Sequence, residues 1–241
     1  TVIPGGEEPC ALCFSGGDKM LRRTLVSACA GAFLCIAAGT AGAAVSNFGT
    51  DVNTAIDRGL GFLTAQGSFA PYASSGSSCG GGDWYLMSDR GMALTALLEK
   101  RRSGNLDDQP QGYSNATEAD KEKMRNAAAC ILDAVNENSF YSYQWGNWLM
   151  GLSLYARTGG PGKGSLGIPD VADLMALPDA IDKMTTDLLN TQCKQDNPTA
   201  TQRGMWLYTE CGNDSSTTQF AVAGLSGAKA YYKWKGDTAK V

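Results

Sequence analysis

Six stretches of the chain carry a helical rhythm of apolar positions, and they alternate between two kinds. In Asp51–Gln66, the residues Val52, Ile56, Leu60 and Leu63 fall on one stripe with polar residues opposite. Glu118–Asn136 repeats this with Met124, Ala128, Ile131 and Val135, and Asp179–Gln192 with Ile181, Met184 and Leu188. The other three, Met92–Leu98, Trp148–Tyr155 and Phe220–Ala230, are apolar nearly all round, the pattern of a helix enclosed by others. Each amphipathic stretch precedes an enclosed one, so the chain reads as three helical hairpins. AIDRGLGFLTAQ at 55–66 resembles AIDKMTTDLLNTQ at 180–192, and the enclosed stretches recur at intervals of roughly 55 and 73 residues.

A hairpin of this kind cannot bury its own apolar face, so the hairpins must stack side by side. Three inner helices then line a centre and three outer helices cover them. Gly151, Gly224 and Gly227 each weaken a helix by ~1 kcal/mol relative to alanine. Close helix-to-helix approach is the expected compensation. No alternating strand pattern of useful length occurs, and the expected fold class is all-α. Long connections at 67–87, 158–178 and 194–215 are candidates to sit over a functional face. The polar stretch 103–117 reads as solvated.

The N-terminal region reads differently. From Met20, two arginines (Arg22 and Arg23) lead into an apolar run from Leu25 to about Ala38, followed by Ala41 and Ala43 in an A-x-A arrangement. This is the order of a secretory signal peptide, and the run is shorter than the ~20 residues of a membrane span. The expected organisation is therefore an upstream extension at 1–19, a signal peptide at 20–43, and a repeat domain at 44–241, C-terminally incomplete. Cys10 and Cys13 fall in the upstream extension and are not read as a redox or metal pair. Cleavage removes three bases (Lys19, Arg22, Arg23) and three acids (Glu7, Glu8, Asp18), which leaves the net charge of -4 unchanged.

Four cysteines remain: Cys79, Cys130, Cys193 and Cys211. An even number in an exported chain suggests disulfides. Cys193 and Cys211 bracket one polar loop, and Cys79 with Cys130 follows by elimination. The expected compartment is periplasmic, cell-surface or extracellular, with no membrane span in the mature chain. The acidic balance argues against a nucleic-acid partner. The chain contains no histidine, which excludes a Ser-His-Asp or Cys-His catalytic group and any His-ligated zinc site. No metal or cofactor is expected.

Trp206-Leu-Tyr208, followed by Asn213-Asp214-Ser-Ser-Thr-Thr-Gln-Phe220-Ala-Val-Ala-Gly-Leu225, resembles the prenyltransferase and squalene-cyclase type repeat, in which an aromatic-rich loop runs into a Thr-Gln-Phe inner helix. Tyr143-Gln-Trp145-Gly-Asn-Trp148 and Trp84-Tyr85 hold comparable positions before the other two inner helices. The resemblance spans about 51–236 and implies an α/α toroid, of which these three hairpins form part. Its chemistry does not follow. The D-x-D-D acid motif of the cyclases is missing, no zinc-ligand set is present, and Cys211-Gly212-Asn213-Asp214 departs from the Cys-Gly-Glu-Gln of thioester toroids.

Candidate ligand-binding residues are the aromatics before the inner helices: Trp84, Tyr85, Tyr143, Trp145, Trp148, Trp206 and Tyr208. Their rings suit an apolar or sugar-like ligand or a cation, and equally suit packing between hairpins. Candidate acids are Asp83, Asp89 and Asp214, which fit paired-carboxylate glycan cleavage or simple helix capping. The reading that follows is an exported, non-catalytic binding or structural module with an unidentified ligand or protein partner. The alternative is a terpene-cyclase-like or carbohydrate-active enzyme with a central aromatic-lined cavity.

Overall fold

Local sequence sets where each helix starts and stops in the computed structural model, which describes residues 47–72, 79, 84–105, 107–137, 140–165, 167–194 and 202–241. These all belong to one unit, Ala43–Val241. The expected upstream extension and signal peptide lie outside the described residues, as does Asp83; so do the side chains of Trp84 and Tyr85. The helices are α1 (Asn47–Ala65), α2 (Trp84–Glu99), α3 (Glu118–Glu137), α4 (Ser142–Arg157), α5 (Leu177–Thr191) and α6 (Ser215–Lys235), followed by a 3-10 turn at Thr238–Lys240. No strand occurs among the described residues, and the protein is all-α.

Helix ends follow recognisable chemistry. At the start of α3 the Thr117 hydroxyl accepts from the Asp120 N–H at 3.1 Å, with Glu118 and Asp120 in the positive first turn. Pro178 opens α5 without a wasted donor. Gly236 closes α6 at φ 75°, where its N–H bonds Lys233 O at 3.2 Å and the next N–H bonds Tyr232 O at 3.0 Å. α2, α4 and α6 extend at both ends beyond the apolar runs that announce them, α1 and α5 start earlier than expected but stop one residue short, and α3 starts where expected. For α2 the run begins at Met92 whereas the helix begins at Trp84, because polar residues such as Ser88 and Asp89 join the first turns.

The helices pack as two interlocked sets. α4 lies between α2 and α6 and makes its most extensive contacts with α6. α3 packs on α2, α4 and α5, while α5 packs on α4 and α6; α1 touches α2. Direction follows from residue order at the contacts. On α2 and α4, Gly91 meets Asn147 and, further along both, Thr95 lies beside Gly151. On α4 and α6, Gly146 meets Ala221 and Met150 meets Gly227. The three even-numbered helices therefore run parallel. α3 returns antiparallel: the start of α3 reaches the end of α2 through Gln111, which donates to Leu97 O at 2.7 Å and to Asp120 Oδ2 at 3.3 Å.

Two glycine seams set the spacing of this row. A Cβ at Gly151 would lie 2.8 Å from Gly91 O, and a Cβ at Gly224 would lie 2.5 Å from Gly146 O. Both contacts are backbone against backbone, so the absence of a side chain is what lets the helices approach. This is the compensation expected for the helix-weakening glycines.

Two expectations need correction. α4 is enclosed, with twelve of its residues buried. α2 and α6, however, each keep an exposed stripe: Asp89, Met92 and Ala96 on one, Gln219, Val222, Ser226, Lys229 and Lys233 on the other. They are the ends of the row, so each lacks a neighbour on one flank. Conversely, α3 is not simply amphipathic, since residues 127–135 are all buried. The connection after α1 covers its polar side: Asn126 donates to Phe69 O at 3.3 Å, and Cys130 is bonded to Cys79.

Candidate functional site

Because α2, α4 and α6 are parallel, their N-terminal ends share one end of the bundle. The loop between α5 and α6 arrives there and is held from several sides. Cys193 is bonded to Cys211 across a separation of 18 residues, which stabilises the fold by ~3 kcal/mol through the loop it closes. Trp206, 1% exposed, donates its indole N–H to Leu188 O at 2.7 Å. Its backbone N–H donates to Thr218 Oγ1 at 3.1 Å. Tyr208 O accepts from the Ser142 N–H at 2.6 Å, which fastens the loop to the first residue of α4.

This arrangement brings Tyr208 over Tyr141. Their rings stack with centroids 4.9 Å apart and 16° between planes. Two residues on, Tyr143 of α4 meets Phe220 of α6 edge-on, with ring centroids 4.5 Å apart. Burial, then the neighbouring Tyr208, Asp214 and Tyr143, push the Tyr141 hydroxyl above its ordinary pKa. Tyr208 remains 40% exposed and Tyr143 is half-buried. The result is a rim of tyrosine faces across the starts of α4 and α6.

The other candidate aromatics have a different place. Trp145 and Trp148 are fully buried and, with Trp206, belong to the core, so none of the three offers a surface to a ligand. Trp145 packs edge-on against Phe140 at 5.2 Å, and Lys183 of α5 lies 4.8 Å from its ring. Their work is hairpin-to-hairpin packing. Tyr141 and Phe220 complete the rim, and neither was a candidate. Tyr141 lies two residues before Tyr143 in the same aromatic run, which is the signal that was available. Phe220 opens an apolar run and reads as core.

Among the acids, Asp214 is the N-cap of α6. Its Oδ1 accepts from the Thr217 N–H at 2.7 Å and from Ser216 Oγ at 2.7 Å. These bonds, the Thr217 N–H first, hold its carboxyl below the usual range. Asp89 is exposed on α2. Among the described residues there is no group of three or more His, Cys, Asp or Glu side chains placed to hold a metal ion, and no helix is long and apolar enough to cross a membrane.

One buried charge stands apart from the rim. Arg90 is fully buried in α2 and donates to Ser68 O at 3.2 Å, to Gly67 O at 3.4 Å and to Cys79 O. Burial lowers its pKa to about 10. Three carbonyls accept from its two terminal nitrogens, so it is a clamp on the connection after α1.

Compared with known proteins, the chain matches no family model, no curated protein and no solved structure.

Proposed function

We propose that the chain is an exported, non-catalytic binding or structural module, built as part of an α/α toroid related to the prenyltransferase and squalene-cyclase repeat. The observation that carries the binding reading is the tyrosine rim. Tyr141, Tyr143 and Tyr208 are held as partly exposed rings by a disulfide-closed loop, while Trp145, Trp148 and Trp206 are committed to the core. Stacked, pre-oriented rings suit the apolar face of a sugar or another flat apolar group, because little side-chain entropy remains to be lost on binding. The parallel row of α2, α4 and α6 supports the toroid reading, and the two disulfides together with the signal-peptide order support export. The capping duty of Asp214 favours a module over a carboxylate-pair hydrolase.

The test is to incubate the protein with soluble polysaccharides and with polyprenyl diphosphates, following product by mass spectrometry and binding by intrinsic fluorescence. Polysaccharide binding without product, lost in Tyr208→Ala, is the expected result. Turnover of either class of compound overturns the proposal.

A further inference from the structure

At the end of the bundle opposite the tyrosine rim, α3 begins beside the segment that follows α4. Glu118, Lys121 and Arg125 stand three and four residues apart, so they share one face of α3. Two cations at this spacing repel each other. Lys121 is paired with Glu118 at 3.0 Å, whose carboxylate is largely exposed. Among the described residues Arg125 has no acidic partner of its own.

The hydrogen bond that Arg125 makes runs from Nη1 to Tyr113 Oη at 3.0 Å. Tyr113 is itself fixed. It is buried, its ring lies edge-on to Tyr155 with centroids 5.3 Å apart, and its backbone N–H donates to Thr158 Oγ1 at 3.1 Å. The guanidinium is therefore held by one corner. Its Nε–H and Nη2–H edge, which can meet an oxyanion with two parallel bonds, stays unbonded among the described residues. Lys121 Nζ lies 5.8 Å from the centroid of the Tyr113 ring, and the Tyr113 hydroxyl, accepting from Arg125, keeps its own proton to donate.

Gly167, between α4 and α5, completes the arrangement. A Cβ there would lie 3.2 Å from Arg125 Nε, close to where an acceptor for that donor belongs, and its φ of 87° disfavours any side chain. These five residues line an open pocket of about 390 Å³ with a net charge of +1.

We propose that this pocket binds a ligand through a single carboxylate group, taken side-on by Arg125 with Lys121 and the Tyr113 hydroxyl beside it. A carboxylate matches the planar fork and the one uncompensated charge, whereas a phosphate dianion meets Glu118 without a second free cation. The site lies apart from the tyrosine rim and does not depend on what the rim binds.

The Arg125 Nε–H signal in proton–nitrogen correlation spectra reads binding at the atom concerned. Titration with sodium benzoate at fixed ionic strength should move it along a saturating curve, while sodium chloride leaves it in place. Arg125→Lys keeps the charge and loses the fork; followed at the Gly167 amide, it should weaken benzoate binding by roughly tenfold or more. Glu118→Gln removes the acid that lines the pocket and should tighten binding by about two- to fivefold, while loss of an acid from the first turn lowers the melting temperature. A role confined to holding the fold does not move binding and stability in opposite directions. Unchanged spectra away from the pocket check that both variants fold. The proposal is overturned by an unmoved signal, by an equal shift with chloride, by tighter binding of phosphate than of benzoate, by an Arg125→Lys variant that binds as wild type, or by weaker binding in Glu118→Gln. None of these results bears on the polysaccharide experiment, and a failure there leaves this site standing.

Discussion

Gly224→Ala puts the packing account at its greatest risk. Intrinsic propensity alone makes alanine better than glycine inside a helix by ~1 kcal/mol. At position 224, however, the new methyl would sit 2.5 Å from Gly146 O and 2.8 Å from Gly146 Cα, both backbone atoms of α4. No side chain can swing away to make room, so α4 and α6 must separate over the largest interface in the protein. Forced overpacking costs about 1–3 kcal/mol, and an immovable backbone places this site at the upper end. The net expectation is a loss of about 2 kcal/mol, or a fall in melting temperature of roughly 4–8 °C for a chain of this size. Gly59→Ala and Gly61→Ala are internal controls, since a Cβ at either site in α1 meets nothing within 4 Å. Those two should gain up to ~1 kcal/mol each. Urea denaturation with disulfides intact reads all three. If Gly224→Ala is as stabilising as the controls, the seam does not exist as described.

Other consequences can be checked in the same way. Arg90→Met removes the donors to three carbonyls and should cost about 3 kcal/mol or more by urea denaturation, with Arg90→Lys recovering only part because an ammonium cannot reproduce the guanidinium fork. Cys79→Ser/Cys130→Ser opens a closure of separation 51 and should cost ~4 kcal/mol, against ~3 kcal/mol for Cys193→Ser/Cys211→Ser at separation 18; non-reducing peptide mapping should recover these two pairs. Asp182 joins α5 to α6 and the final turn, accepting from Tyr232 Oη at 2.7 Å and from Lys240 Nζ at 2.7 Å. Burial works to raise its pKa, but the bonds from Lys240 and Tyr232 outweigh burial and hold it below the ordinary value. A depressed carboxyl contributes stability above its unfolded pKa and loses it as pH falls through the folded one. The melting-temperature gap between wild type and Asp182→Asn should therefore be full near pH 6 and close below about pH 4.

The alternation of amphipathic and apolar stretches was legible because each helix of a stacked hairpin must present a continuous apolar stripe, and that constraint is written at every third or fourth residue. The glycines of α4 and α6 were legible for a related reason: a residue that weakens a helix needs a compensating contact. Gly91, their partner in α2, fell just outside the apolar run and gave no such signal. Exposure at the row's ends was hidden, because Val222 and Met92 differ from buried residues only in having no neighbour, which is a property of the assembly. At the site, Trp206 and Tyr208 look alike in the sequence. One became core and the other rim because the Cys193–Cys211 loop turns the indole toward Leu188 and leaves the phenol over Tyr141. Loop closure of this kind is a tertiary outcome, and local pattern does not carry it.

Double electron–electron resonance on two doubly labelled proteins addresses the parallel row directly. One protein carries labels at Asp89 and Gln219, near the starts of α2 and α6, and the other at Asp89 and Lys233, near the start of α2 and the end of α6. Two close-packed spacings of ~8–10 Å each place the first pair roughly 20 Å apart. In a parallel row the second distance is longer by about 10 Å, because the label on α6 has moved on by roughly 20 Å along the helix axis. If α2 and α6 ran in opposite directions the order would reverse, with Asp89–Lys233 the shorter distance. The longer Asp89–Lys233 distance sustains the stacked, parallel row, and the reversed order contradicts it.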